Sequence, residues 1–251
     1  MSLPEGPPPL GLLQGRLLEL SRALDTNESV KGPAAAAITI GRRCREHFGV
    51  AAASEADATA MVNTRPLAVA IIRLRWIQQD PPLRTDLWVA QGELDERKMI
   101  DAARRNTELA ASWPAPNSEL QADHEAFIAE VRRLARAEGA NWVGEKGDLL
   151  PRESVMADAV NTEQVRQAYD IAFRVSSMWS HVSAGSFKNA VEEREDGLYL
   201  AGPETTWLPG TQALATSLFA IILTIVSELA GLGIEREANL IRAIVVGRGG
   251  K

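Results

Sequence analysis

No charged residue interrupts the chain between Thr205 and Ser227, and the part from Leu218 to Val226 is almost entirely apolar. A helix of this composition either lies buried on all sides in the core of a helical protein or crosses a lipid bilayer. The polar residues at its start, from Pro209 to Gln212, and the glutamate that follows it, Glu228, favour burial. We therefore predict a core helix at about 212–229 in a soluble protein, with a membrane span as the alternative.

The rest of the chain has the periodicity of amphipathic helices. Apolar residues recur at helical spacing, and Pro and Gly mark the breaks between segments. The predicted helices cover residues 10–24, 33–47, 55–79, 85–111, 118–137, 162–181 and 235–246, with a short helical turn at 154–159.

One region, near residues 190–205, has β character, and Asp196-Gly197 within it has the composition of a hairpin turn. We therefore predict an all-α fold: a single helical bundle of about seven or eight helices, with a small β-hairpin or irregular insertion in that region. The domain should span residues 10–246, between a disordered lead-in, 1–9, and a disordered tail, 247–251.

Composition narrows the function classes. The net charge is −6, so the protein as a whole does not attract nucleic acid, and any such contact needs a local basic patch. The single cysteine, Cys44, excludes an internal disulfide and a cysteine-built zinc site, which suits a reducing cytoplasm. The first ten residues lack the basic and apolar regions of a signal peptide. We therefore expect a cytoplasmic protein without a membrane or DNA partner.

The three histidines, His47, His124 and His181, limit the metal and catalytic sites that can form. None of them follows a glutamate by three residues, as the ligands of helical di-iron sites do. His124 falls on the apolar face of its helix, so we expect a packing residue bonded to a carbonyl or carboxylate. A cavity-lining ligand or acid/base is the alternative for His124. The sequence thus predicts no metal and no cofactor.

The predicted helix at 162–181 carries the densest polar pattern. Arg166, Asp170 and Arg174 are spaced by four and can form a ladder of ion pairs. Arg174 and His181 are two turns apart, so they project almost the same way, about 10 Å from each other along the helix axis. Such a pair can act on an RNA phosphodiester. The imidazole would take the 2′-hydroxyl proton while the guanidinium stabilises charge on the phosphorane.

This Arg-x6-His pattern near the end of a helix resembles the R-x(4–6)-H motif of HEPN-type helical ribonucleases, which are common in bacterial toxin–antitoxin and antiphage systems. In that family the motif helices of two protomers meet, and the site needs no metal. The resemblance implies that Arg174 binds the phosphate and that His181 is the base. It also implies a homodimer that acts on RNA.

A wider resemblance, over about residues 60–232, is to a bacterial all-helical family of unknown function. It is carried by the run Arg65–Pro81, which contains Trp-Ile-Gln-Gln-Asp-Pro, and by the Tyr…Arg…Ser…His pattern of residues 169–181. Members of that family often have Glu shortly after the leading Arg, where this chain has Ala68. The resemblance implies that these two helices lie together. The candidate binding residues on them are Arg65, Tyr169, Asp170 and Ser177.

A buried ionic network is the alternative explanation for Arg174 and His181. Arginines of the predicted third helix could pair there with Asp170 or Glu228, because buried charges need partners. Three functions therefore stay open: an HEPN-like ribonuclease or defence effector, a non-enzymatic helical interaction module, and a small-molecule enzyme or binder. A deep pocket beside His124 or Trp76 would favour the last of these.

Overall fold

The structure is a computed structural model that describes residues 7–25, 29–105, 118–180, 191–193, 199–201 and 207–248. Within these ranges the fold is all-α, as predicted, and the short turn expected near residue 154 is a helix of its own. The nine helices of the described ranges are α1 (Leu10–Leu20), α2 (Gly32–Ala53), α3 (Asp57–Gln79), α4 (Pro81–Arg105), α5 (Ser118–Ala137), α6 (Glu153–Val160), α7 (the consecutive segments Glu163–Gln167, Ala168–Phe173 and Arg174–Ser180), α8 (Leu208–Ala230) and α9 (Glu235–Arg248).

Two short strands lie between α7 and α8. Val191–Glu193 (β1) and Tyr199–Ala201 (β2) pair antiparallel, with Val191 opposite Ala201. Residues 194–198, which include the predicted Asp196-Gly197 turn, lie outside the described residues. A closed hairpin insertion at this place therefore stays a prediction.

The apolar helix α8 lies at the centre of the fold and packs on α2, α3 and α9. Every residue from Leu218 to Ser227 is buried, and Ile222 is fully so. Of the residues expected to pack inside, Leu218, Ile221, Ile222 and Ile225 are buried, and Leu214 is half-buried. By length and composition alone α8 could cross a membrane, and 67% of its apolar window is buried within the protein.

The second helix is longer than its glycine suggested. It was predicted to end at His47, before Gly49, but α2 continues to Ala53. Phe48 is fully buried and stacks on Phe219, with ring centroids 4.5 Å apart. This packing outweighs the cost of about 1 kcal/mol for glycine inside a helix, so the predicted break was wrong.

Two other helix starts differ from the predictions for local reasons. Ser54, the polar residue before the predicted helix at 55–79, bonds the carbonyl of Ala56 instead of a helical N–H, and α3 begins later, at Asp57. Pro81 follows the predicted end of the third helix at residue 79 and opens α4, which was predicted to begin at Thr85. Proline suits the first turn of a helix, because the N–H that it lacks would have no partner there.

Several predicted ends fall at the limits of the described residues. The α4 helix is described to Arg105, so its predicted end at Ala111 lies outside them. The last helix continues to Arg248, beyond the predicted end at Val246. Most of the predicted lead-in, residues 1–6, and of the tail, residues 249–251, also lies outside the described residues.

Candidate functional site

The middle of α7 changes its winding. Thr162 caps the helix by accepting a hydrogen bond from the Val165 N–H at 3.4 Å, and the segment Ala168–Phe173 is then π-helical. A π segment carries more residues per turn than an α-helix and is frequent at functional sites. Within it the rings of Tyr169 and Phe173 stack, with centroids 5.3 Å apart and planes 15° from parallel. The segment packs against α3.

Arg65 of α3 meets this aromatic pair. Its guanidinium carbon lies 5.2 Å from the centre of the Phe173 ring, which is a cation–π contact. Two of the predicted binding residues, Arg65 and Tyr169, are therefore brought to one place. Phe173, which joins them, was not singled out from the sequence.

The predicted catalytic pair is described only in part. Arg174 Nη1 lies 3.7 Å from Asp170 Oδ1, and the two side chains are 68% and 58% exposed. A pair this exposed contributes little to stability and is not a buried network, so that interpretation of Arg174 was wrong. The hydroxyl of Ser177 donates to the Phe173 carbonyl at 2.7 Å. His181 lies outside the described residues, and its pairing with Arg174 stays a prediction.

The other arginines of α3 do pair across helices. Arg75 Nη1 lies 2.9 Å from Glu228 of α8, which is the one contact of the expected network that forms among the described residues. Arg73 Nη2 lies 2.9 Å from Glu153 Oε1, at the start of α6. These two ion pairs tie α3 to α8 and α6, and Arg75 Nη2 also donates to Gln164 Oε1 of α7 at 3.1 Å.

A cleft of about 590 Å³ opens between α2 and α3, and side chains from three further helices close its sides. These side chains are Trp88 of α4, Glu153 of α6 and Phe173 of α7. Its apolar lining consists of Ile40, Cys44, Pro66, Val69 and Ala70. Its polar lining from α2 and α3 consists of Thr39, Arg43, His47, Arg65 and Arg73.

The cleft is a positive region in an acidic protein. It contains three guanidinium groups and one carboxylate, that of Glu153, whereas the whole chain carries a net charge of −6. Glu153 is paired with Arg73, whose Nε is buried and has no hydrogen-bond partner among the described residues. Arg43 and Arg65 make no ion pair within the described part of the chain. The cleft therefore favours an anion.

Hydrogen bonds orient the imidazole of His47 at the edge of the cleft. The side-chain amide of Asn63 donates to the Thr59 carbonyl, so its oxygen is left to accept from His47 Nδ1, 3.0 Å away. In neutral His47 the remaining nitrogen, Nε2, is then an acceptor, and in the protonated ring it is a donor.

Cys44 is part of the wall rather than a nucleophile. It is 3% exposed, and burial raises the pKa of its thiol to about 12. A reactive cysteine needs a thiolate at neutral pH, which this environment disfavours.

His124 lies away from the cleft. Its Nδ1 is 2.6 Å from Glu93 Oε2, and this contact joins α5 to α4. A carbonyl or carboxylate partner was expected for His124, and the partner is a carboxylate. Trp76, the other residue beside which a pocket would have favoured a small-molecule function, is 2% exposed, and neither residue lines the cleft. Among the described residues no three His, Cys, Asp or Glu side chains lie close enough to hold a metal. The absence of a metal stays a prediction.

The spacing of charged residues on α2 and α3 indicates part of the cleft from the sequence. Arg65, Val69 and Arg73 are spaced by four, so they form one stripe along α3. Arg43 and His47 have the same spacing on α2. The pattern shows that these side chains share a face of each helix, but it does not show that the two faces meet.

No protein-family model matches the chain, and no curated protein or solved structure is significantly similar to it. The resemblance to HEPN-type ribonucleases therefore rests on Arg174 and His181 themselves, and the wider resemblance rests on the motifs of α3 and α7. At the position where that wider family often has Glu, Ala68 is fully buried in the core. The function has to follow from the geometry of the described residues.

Proposed function

We propose that the protein binds a small organic anion in the cleft between α2 and α3. The observation that carries the proposal is that Arg43 and Arg65 line an apolar cavity and have no anionic partner among the described residues. A volume of about 590 Å³ suits a small-molecule ligand. Guanidinium groups bind carboxylate and phosphate oxygens through two parallel hydrogen bonds. Of the functions left open by the sequence, this is the small-molecule binder or enzyme.

The two ends of the cleft differ in charge. Arg65 and Arg73 are two turns apart on α3, about 12 Å along the axis. At the Arg73 end, Glu153 neutralises the guanidinium and repels an anion. At the Arg65 end the guanidinium rests on Phe173 and makes no ion pair among the described residues. The anionic group of a ligand should therefore bind at the Arg65 end.

Titration calorimetry with benzoate, phenyl phosphate, benzenesulfonate and their naphthyl analogues tests this proposal. At least one of these anions should bind, and Arg43→Gln and Arg65→Gln should each weaken binding about tenfold or more, because a hydrogen bond to a charged group is lost. Arg166→Gln, on the exposed surface of α7, is the matched control and should leave affinity unchanged. Failure of every anion to bind, or binding by both cleft variants that is as tight as that of wild type, would overturn the proposal.

A second candidate function is an HEPN-like, metal-independent ribonuclease or toxin-type effector. The observation that favours it is the surface around Arg174, where Ile171 and Val175 are 51% and 38% exposed. Exposed apolar side chains beside an exposed arginine suit a surface at which two copies of α7 meet, as the resemblance requires. In that homodimer Arg174 would bind the scissile phosphate of RNA and His181 would deprotonate the 2′-hydroxyl. The helical interaction module stays a third hypothesis.

RNA cleavage in EDTA tests the second function. The reaction should leave a 2′,3′-cyclic phosphate and fail on DNA, which lacks the attacking hydroxyl. His181→Ala should abolish it, and Arg174→Lys should weaken it strongly, because lysine cannot make a two-pronged phosphate contact. Circular dichroism checks that both variants fold, and light scattering checks for a dimer that Ile171→Asp dissociates. Cleavage that survives His181→Ala would exclude this function.

A further inference from the structure

The cleft has features that narrow the class of anion, and this narrower inference rests on the anion-binding function proposed above. We infer that the ligand is a phosphate monoester of a flat apolar group. Its phosphate lies between Arg43 and Arg65, and its apolar part lies along the cleft toward Trp88.

The charge of the cleft favours an anion with two negative charges. Arg73 is balanced by Glu153, whereas Arg43 and Arg65 have no anionic partner among the described residues, so two positive charges are unbalanced. A carboxylate or a sulfonate carries one negative charge and would leave one guanidinium without a partner. A phosphate monoester carries about −1.5 to −2 near neutral pH. Its charge therefore matches this end of the cleft.

The arrangement of the hydrogen-bond donors in the cleft also favours a phosphate. Arg43 belongs to α2 and Arg65 to α3, so the two guanidinium groups reach the cleft from different helices. Phe173 holds the Arg65 guanidinium at 5.2 Å, and Tyr169 stacks on that ring, so less side-chain freedom is lost when an anion binds. A phosphate has three terminal oxygens and can accept from both guanidinium groups at once, with His47 on the same lining. A carboxylate has only two oxygens in one plane.

The apolar part of the cavity favours an ester with an apolar group over the free phosphate ion. Ile40, Val69 and Ala70 offer a ligand no hydrogen-bonding side chain, and the indole of Trp88 is half-buried beside them. The cavity of about 590 Å³ is much larger than one phosphate ion. Inorganic phosphate would leave this surface in water, whereas a ring would cover it and gain the free energy of apolar burial. The ligand should therefore be an ester and not the free ion.

Four probes test the inference by titration calorimetry: 1-naphthyl phosphate, 1-naphthoate, 1-naphthol and inorganic phosphate. We expect 1-naphthyl phosphate to bind at least about tenfold more tightly than each of the others, because only it supplies both the dianion and the ring. Arg43→Gln and Arg65→Gln should each remove about tenfold or more of that affinity and bring it close to that of naphthoate. Arg166→Gln should have no effect, and circular dichroism checks the fold of every variant.

The outcomes separate the inference from the function on which it rests. If naphthoate binds as tightly as naphthyl phosphate, the phosphate class is overturned while anion binding stands. If inorganic phosphate binds as tightly as its ester, the apolar part of the inference is overturned. If no anion binds to the folded protein, the inference and the proposed function both fail.

Discussion

The two sides of α3 have opposite physical character. Toward the core that it shares with α8, the helix presents fully buried side chains such as Leu67, Ile71 and Leu74. Toward the cleft it presents Arg65 and Arg73, which are only partly buried and lie beside other polar groups. One helix therefore contributes both to a dry core and to a charged cavity.

This difference explains how a helix with several arginines can lie near the centre of a protein. Spacing by four collects Arg65 and Arg73 on one stripe, so neither has to enter the core. There Arg73 pairs with Glu153, and Arg65 rests on Phe173. A charge placed on the other side of the helix would have no such partners and would carry the full cost of leaving water. A charge placed in the core and a charge placed on the cleft side test this contrast, and substitutions in α2 then test the packing around it.

The largest effect should come from a charge placed in the dry core. Ile222 of α8 is fully buried, and Ile222→Asp should unfold the protein. An unpaired buried charge costs several kcal/mol, which is comparable with the stability of a whole domain, about 5–15 kcal/mol. Circular dichroism and urea denaturation measure the loss. Wild-type protein should be soluble without detergent, and its recovery only from membranes would contradict the assignment of α8 as a core helix.

Two matched variants sharpen this result. Leu240 is 60% exposed on α9, so Leu240→Asp should leave stability nearly unchanged. Val69→Asp puts the same charge on the cleft side of α3, one turn from Arg65 and from Arg73. It should stay within about 1 kcal/mol of wild type, because ion pairs at this spacing offset lost apolar contact, and it should abolish anion binding. If Val69→Asp unfolds the protein as Ile222→Asp does, the two sides of α3 do not differ.

A smaller effect, opposite in sign at two positions, should come from glycines of α2. A Cβ on Gly41 would lie 3.2 Å from Leu24 and 3.3 Å from Val226, both fully buried, whereas one on Gly49 would meet nothing within 4 Å. Gly41→Ala should therefore destabilise by about 1 kcal/mol or more through overpacking. Gly49→Ala should stabilise by about 0.5–1 kcal/mol, because alanine is the better helix former. Urea denaturation of both variants checks the signs, and a gain at both positions would show that the α2–α8 contact is loose.

The effect that is smallest at neutral pH, where it is absent, should come from Cys44 at the boundary between core and cleft, and it grows only as the pH rises above 9. Burial raises the pKa of its thiol from 9.0 to about 12, so the folded protein holds it protonated where the unfolded chain ionises it. Its contribution to stability is complete below pH 9 and is lost as the pH rises toward 12. Denaturation between pH 7 and pH 11 should show this decline in wild type and a shallower one in Cys44→Ala. A thiol reagent should modify Cys44 at pH 8 only in urea, and rapid reaction of the native protein would contradict its burial.

The differences between predicted and observed helices have local causes. Gly49 is a weak helix former, but the burial of the neighbouring Phe48 against Phe219 holds α2 in helical form. Pro81 ends one helix and begins another, and its ring geometry is compatible with both roles. Serine is a common capping residue at the start of a helix, but the Ser54 hydroxyl bonds the Ala56 carbonyl instead. In each case a local propensity of about 1 kcal/mol competed with packing or with an equally good local arrangement.

The sequence alone is enough to predict the all-α class, the core position of α8 and the stripes of charge on α2, α3 and α7. These properties follow from helical periodicity and from the free energy of burying apolar side chains, both of which act along one segment. The packing of the helices, in contrast, brings Arg73 to Glu153 and Arg65 to Phe173, and it makes the stripes of α2 and α3 enclose a cleft. Periodicity fixes which side chains share a face, whereas the pairing of faces depends on how helices far apart in the chain pack around a common core.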